Sequence, residues 1–140
     1  MKVIFGCDPN AAELKKDLME LTKNLGHEVV DMGSTDPIYA NTAIAVAEAV
    51  ASGNGDRGVL VCGTGLGMSI AANKVKGIRC GLCTSVEMAR LTKQHNNANI
   101  LALGGRTTEP ELALKIVDEW LDTEFEGGRH QRRVDMLDQM

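Results

Sequence analysis

The segment Cys62-Gly-Thr-Gly-Leu-Gly67 puts a thiol and a hydroxyl inside a glycine-rich turn. The apolar run Arg57 to Cys62 precedes it and the helical stretch Met68 to Lys74 follows. Several backbone N–H groups of a strand-to-helix turn therefore converge on one point at the positive end of a helix, which suits an anion or a developing oxyanion. Cys62 at the mouth of that turn can serve as nucleophile or base once deprotonated. On the residue alone, the plainer reading as a small buried hydrophobe is favoured. Thr64 reads either as a helix cap or as a hydroxyl placed beside a reacting carbon. A dinucleotide fingerprint is excluded in detail, because the third glycine of G-x-G-x-x-G falls on Met68 and no Walker lysine–hydroxyl pair follows the turn.

Further polar groups stand where apolar runs end: Asp8, Thr84 and Gly104-Gly105. His95-Asn-Asn-Ala-Asn99 is a dense set of hydrogen-bonding side chains between a helix and a strand, and it also reads as a helix end with Asn in left-handed geometry. In Gly127-Gly-Arg-His-Gln-Arg-Arg133, Arg129 and Arg133 are spaced i and i+4. If helical, they share a face and could clasp a phosphate. An exposed basic face without a ligand is the plainer reading. His130 is expected to point away from the arginine pair, and neither it nor His27 receives a role.

The elements that position these groups alternate. Val3 to Cys7 reads as a strand, and Ala11 to Leu25 as a helix with Leu14, Leu18, Leu21 and Leu25 on one face, stopped by Gly26. Glu28 to Met32, Arg57 to Cys62, Ile78 to Cys83 and Asn99 to Leu103 read as further strands, and Ala43 to Ala51, Ser85 to Gln94 and the stretch after Pro110 as helices. Continuous apolar strands alternating with helices require a parallel sheet covered on both faces. The expected fold is thus a doubly wound three-layer α/β domain with a five-stranded, Rossmann-like sheet. In such sheets ligands bind beyond the carboxyl ends of the strands. Residues 124–140 lie past the last strand–helix unit, with basic and apolar residues arranged as an amphipathic helix. That helix is expected to dock or to be exchanged at a dimer interface.

Composition narrows the partners. Fifteen Lys and Arg against 19 Asp and Glu give a net charge of −4, which repels a nucleic-acid backbone, and 3% aromatic residues leave few faces for stacking bases. Cys80 and Cys83 have the spacing of metal ligands, but no second pair or neighbouring histidine completes a site. They read as small core residues of a buried strand. The first apolar run is too short for a signal peptide and no stretch reaches membrane-span length. A cytoplasmic protein with reduced thiols, bound to no membrane, is expected.

Gly6-Cys-Asp8, Cys62 to Lys74, Gly77-Ile-Arg79, His95 to Asn99 and Glu126 to Val134 together resemble the type B ribose-5-phosphate isomerase family, which includes the galactose-6-phosphate isomerase subunits. The resemblance spans essentially the whole chain, residues 1–140 forming one isomerase domain. It implies cofactor-free, metal-independent interconversion of an aldose phosphate and a ketose phosphate through an enediol. The site would be shared between the subunits of a homodimer, or of a dimer of dimers. By the same resemblance Cys62 is the base and Thr64 assists proton transfer between oxygens. The amides of Gly63, Thr64, Gly65, Leu66 and Gly67 hold the enediolate, and Asp8 and His95 assist ring opening. Asn96 binds sugar hydroxyls, and Arg129 and Arg133 hold the phosphate.

Two departures concern the substrate. The family usually has Asp-His-Ala-Gly where this chain has Asp8-Pro-Asn-Ala11, and its Asp-Tyr-Pro segment is missing, with Tyr39-Ala-Asn-Thr-Ala43 in its place. Ribose 5-phosphate is the default substrate, with galactose 6-phosphate, allose 6-phosphate and a tetrulose phosphate as alternatives. The rival readings are a non-catalytic sugar-phosphate-binding subunit of a hetero-oligomer and, more remotely, a nucleotide-binding regulator.

Overall fold

The computed structural model describes residues 1–140. Five parallel strands, β1 (Lys2–Cys7), β2 (Glu28–Asp31), β3 (Arg57–Cys62), β4 (Cys80–Leu82) and β5 (Ile100–Gly104), form one sheet in the order β2-β1-β3-β5-β4. Six helices accompany them: α1 (Ala12–Asn24), α2 (Tyr39–Ala51), α3 (Leu66–Ala72), α4 (Val86–Asn96), α5 (Pro110–Asp122) and α6 (Gln131–Asp138).

The pleat explains the layering, since alternate side chains of a strand face opposite ways. Val3, Phe5, Cys7, Val59, Val61, Leu101 and Leu103 pack with Leu14 and Leu18 of α1, Ala89 of α4, and Ile116 and Trp120 of α5. Ile4, Leu60, Cys62 and Ile100 face α2, through Val46 and Ala47, and α3, through Met68 and Ala72. The three central strands are buried almost throughout, whereas edge strands β2 and β4 are largely half-buried. This is the expected doubly wound three-layer fold.

Several boundaries differ from those read in the sequence. Strand β4 keeps only Cys80–Leu82 because it pairs on one side alone, with β5. Cys83 is buried as expected, but Cys80 is only half-buried, so the pair does not lie in a closed core. Burial pushes both thiols up to about 12, and both are reduced. Helix α2 begins at Tyr39, four residues earlier than the alanine pattern indicates. Asp36 organises that start, accepting from the Ile38 N–H at 2.8 Å and from the Asn41 amide at 3.1 Å. Leu25 ends up 45% exposed, beyond the buried stripe of α1.

The tail lies along its own chain. The Glu126 N–H donates to the Gln94 carbonyl at 3.1 Å, Val134 is buried, and Asp138 pairs with Arg79 at 2.6 Å. No helix is long and apolar enough to cross a membrane.

Candidate active site

Strands β1 and β3 are neighbours in the sheet, but β1 leads outward to β2 whereas β3 leads to the other half. This is the reversal point at which a doubly wound sheet opens a crevice at its carboxyl edge. Asp8 and Cys62 stand at that edge. With Asn10, Ala11, Gly63, Gly105 and Arg106 they line a cavity of about 170 Å³.

Main-chain bonds build this end. Asp8 donates its N–H to the Val61 carbonyl at 3.1 Å, and its Oδ1 accepts from Asn10 and Ala11 N–H at 3.0 and 3.1 Å, capping a 3₁₀ turn over Pro9–Ala11. The Gly105 N–H donates to the Cys62 carbonyl at 2.7 Å and the Arg106 N–H to the Gly63 carbonyl at 2.9 Å, which clasps the glycine turn to the end of β5. Gly65 is left-handed, with φ +80, and a Cβ there would lie 2.8 Å from the Leu103 carbonyl carbon. Only glycine lets the turn lie so close to β5.

Inside the turn the Gly65 N–H donates to Cys62 Sγ at 3.1 Å, and the Leu66 N–H donates to Thr64 Oγ1 at 3.2 Å. Those two amides are engaged. The Gly63, Thr64 and Gly67 amides have no hydrogen-bond partner in the chain and are free donors of the turn. Thr64 thus partners the first turn of α3 and is still exposed. The Tyr39 ring covers Gly67, where a Cβ would come within 2.5 Å of it.

His95, Asn96, Arg129 and Arg133 are not brought to this cavity. His95 and Asn96 form the last turn of α4, and Asn96 lines a separate cavity of about 560 Å³ together with Leu137 and Met140. Asn97 takes the left-handed helix-end conformation, with φ 49, while Asn99 holds Arg79 N–H at 2.8 Å and Gly77 O at 3.0 Å. Half of the His-Asn-Asn-Ala-Asn motif is therefore structural.

Two sequence expectations about the tail are corrected. Helix α6 starts at Gln131, so Arg129 lies in a preceding 3₁₀ turn, Gly128–His130, and the arginines do not share one α-helical face. His130 does not point away from them, since its Nδ1 lies 3.4 Å from Arg133 Nη1. It is also buried and stacked on His95, with ring centroids 4.3 Å apart and 17° between planes. Burial, followed by the neighbouring His95 and Arg129, lowers its proton affinity below that of an ordinary histidine. Both arginines remain exposed.

Sequence reasoning missed Arg106 and His130 as site neighbours. Arg106 was signalled only by following Gly104-Gly105 at a strand end. Nothing local marked His130, which reaches its place through a contact between distant elements. Tyr39, which stands where the family has its Asp-Tyr-Pro segment, lies against the glycine turn.

A doubly wound α/β fold with a cysteine–threonine glycine turn at its reversal point defines a class of small-molecule sites, and the comparisons narrow it. Residues 3–137 match the Ribose/Galactose Isomerase family, to which the chain belongs. It is 47% identical over 141 residues to ribose-5-phosphate isomerase B of Escherichia coli, covering 97% of this chain and 93% of that protein. It is 39% identical to D-erythrulose-4-phosphate isomerase of Pectobacterium atrosepticum, covering 98% and 93%. Ribose-5-phosphate isomerase B of Clostridium thermocellum superposes with a TM-score of 0.95 at 49% identity, covering 99% of this chain and 96% of that one.

Proposed function

We propose that the chain is a cytoplasmic aldose–ketose isomerase of a sugar phosphate, by default converting ribose 5-phosphate to ribulose 5-phosphate through an enediol. The observation that carries this reading is Cys62 Sγ held by the Gly65 N–H at 3.1 Å, in a turn at the sheet's reversal point whose Gly63 and Thr64 amides are free. A base there removes the proton on the carbon next to the carbonyl and returns it to the adjacent carbon. Thr64 Oγ moves the hydroxyl proton between the two oxygens. The Gly63 and Thr64 amides hold the enediolate, and each well-placed donor contributes about 3 kcal/mol to the barrier reduction. No redox partner is required, because the hydrogen leaves and returns as a proton.

His95, Asn96, Arg129 and Arg133 lie apart from Cys62 in their own chain. A homodimer in which one subunit's tail faces the other's turn brings the two halves together. His95 and Asp8 then open the sugar ring, Asn96 binds its hydroxyls, and Arg129, Arg133 and Arg106 meet the phosphate. The identity to an erythrulose-4-phosphate enzyme, and Asn10 where the family has no polar side chain, keep a tetrulose phosphate beside ribose 5-phosphate as a substrate.

The test is turnover of the purified protein on ribose 5-phosphate, erythrulose 4-phosphate, allose 6-phosphate and galactose 6-phosphate, with Cys62→Ala as control. One strong cysteine-dependent activity is expected. Silence on all four from a folded dimer would remove the catalytic reading in favour of a sugar-phosphate-binding subunit.

A further inference from the structure

Where α4 meets the tail, His95, Glu126 and His130 bring their ligating atoms within 4.8 Å of one another. His130 Nε2 is 3.6 Å from Glu126 Oε2, and His95 Nε2 is 4.0 Å from Glu126 Oε1. Two main-chain bonds support the backbone under this triangle. The Glu126 N–H is bonded to the Gln94 carbonyl, and the His130 N–H donates to the Gly127 carbonyl at 3.0 Å. His130 is 3% exposed, yet its Nε2 has no hydrogen-bond partner. A separation of 3.6 Å is outside hydrogen-bond reach, so a buried ring nitrogen aims at a carboxylate without bonding it.

We infer that His95, Glu126 and His130 form a binding site for a transition-metal dication of the Zn²⁺ type, and that its occupation withdraws His95 from the isomerase site. Two imidazole nitrogens and one carboxylate oxygen suit zinc, whereas Mg²⁺ and Ca²⁺ require oxygen ligands. Metal bonds of about 2.0–2.2 Å at a tetrahedral angle put ligand atoms roughly 3.3–3.6 Å apart. Closing the triangle to that size requires the His95 ring to turn out of its stack on His130, because a metal lies in the plane of each ligating imidazole and the two planes are only 17° apart. His95 and Glu126, with side chains 36% and 48% exposed, have room to move.

One contact opposes the metal. Arg133 Nη1 faces His130 Nδ1 at 3.4 Å, and a metal on Nε2 leaves the proton on Nδ1, so that two donors would meet. Arg133 must swing aside, and its charge and that of Arg129 repel the cation. The site therefore carries an unusual sign: loss of Arg133 tightens metal binding.

The binding arm does not depend on the isomerase reading, but the inhibition arm does. Calorimetric titration of the full-length protein with Zn²⁺ should show one ion per chain. Glu126→Gln and His130→Gln should each weaken binding by about 10-fold or more, and Arg133→Ala should strengthen it several-fold. Glu126 is half-exposed, so Glu126→Gln remains informative if His130→Gln fails to fold. Co²⁺ as a spectroscopic probe should lack the intense thiolate charge-transfer band that Cys62 ligation would give. Absence of stoichiometric Zn²⁺ binding, or unchanged affinity in Glu126→Gln, would overturn the site. Where turnover is observed, Zn²⁺ should inhibit with the same midpoint as binding, chelator should reverse it, and Mg²⁺ should have no effect. Tight binding without inhibition would overturn the withdrawal of His95. Absent turnover with intact binding would instead count against the isomerase reading alone.

Discussion

The turn at Cys62 and the junction of α4 with the tail both gather polar groups beyond the ends of elements, but they are held by different bonds. At the turn, main-chain bonds of 2.7 and 2.9 Å from Gly105 and Arg106 secure Cys62 and Gly63, and Gly65 packs onto the backbone of β5. At the junction one main-chain bond, from Glu126 to Gln94 at 3.1 Å, ties the tail to α4, and side chains do the rest: His130 stacks on His95, Arg133 approaches His130, and Asp138 pairs with Arg79. A main-chain scaffold suits the base proposed at Cys62, which must meet one carbon within a fraction of an ångström. A side-chain assembly suits the proposed role of the tail, to bind a mobile phosphate and release product.

The largest effect separating the two regions is expected at Cys62. Cys62→Ala should lower kcat by about 10²–10⁴-fold with little change in KM, as read by steady-state kinetics on the substrate the panel identifies. Near-normal kcat would remove the cysteine from the role of base. Arg129→Ala should act mainly on KM, raising it about 10–100-fold for the phosphorylated sugar, the usual value of a charge-assisted hydrogen bond. Mixing Cys62→Ala with Arg129→Ala subunits sharpens the contrast. If turn and tail come from different subunits, a randomly reassociated mixture regains about a quarter of wild-type activity, because half the dimers carry one intact site. No recovery would place both halves of the site in one chain.

The turn itself offers a stability test. Gly65→Ala forces a left-handed alanine against the Leu103 backbone and should cost about 2–4 kcal/mol by denaturant unfolding. Gly63→Ala, where a Cβ meets nothing within 4 Å, should stay within about 0.5 kcal/mol of wild type. Equal losses would mean that the close approach of the turn to β5 is not what holds it.

The same contrast governs what was legible in the sequence. The sheet, its two helical layers and the glycine turn were readable, because apolar periodicity and glycine spacing report local geometry. Asp8 and Cys62 followed from strand ends alone, and the structure places both beside one cavity. The junction was read less well. His130 was dismissed because an i, i+4 pattern was extended across residues that begin as a 3₁₀ turn, and its burial depends on α4, some thirty residues away in the chain. Tyr39 was placed outside a helix because Asp36, rather than an apolar repeat, starts α2. Strand β4 was overextended because an edge strand can be apolar and still pair for only three residues.

The remaining expected effect belongs to the junction and depends on pH. Lys93 of α4 is 7% exposed, with its ammonium donating to Asn97 Oδ1 at 2.8 Å and to the Ala98 carbonyl at 3.4 Å. Burial, followed by the charge of Arg57, lowers its pKa from 10.5 to about 8. Between those values the unfolded chain binds a proton that the folded chain does not, so this group makes stability rise with pH from about 8 towards 10.5. Below about 8 the folded chain carries the cost of a buried ammonium in full. Lys93→Met removes the titration. The difference in unfolding free energy, wild type minus Lys93→Met, should therefore climb across that window by up to about 1.4 kcal/mol per pH unit. Taking the difference cancels the raised thiols of Cys7, Cys80 and Cys83, which both proteins share. A flat difference curve would show that the two hydrogen bonds at the end of α4 already offset the burial of the charge, making the junction as firmly held as the turn.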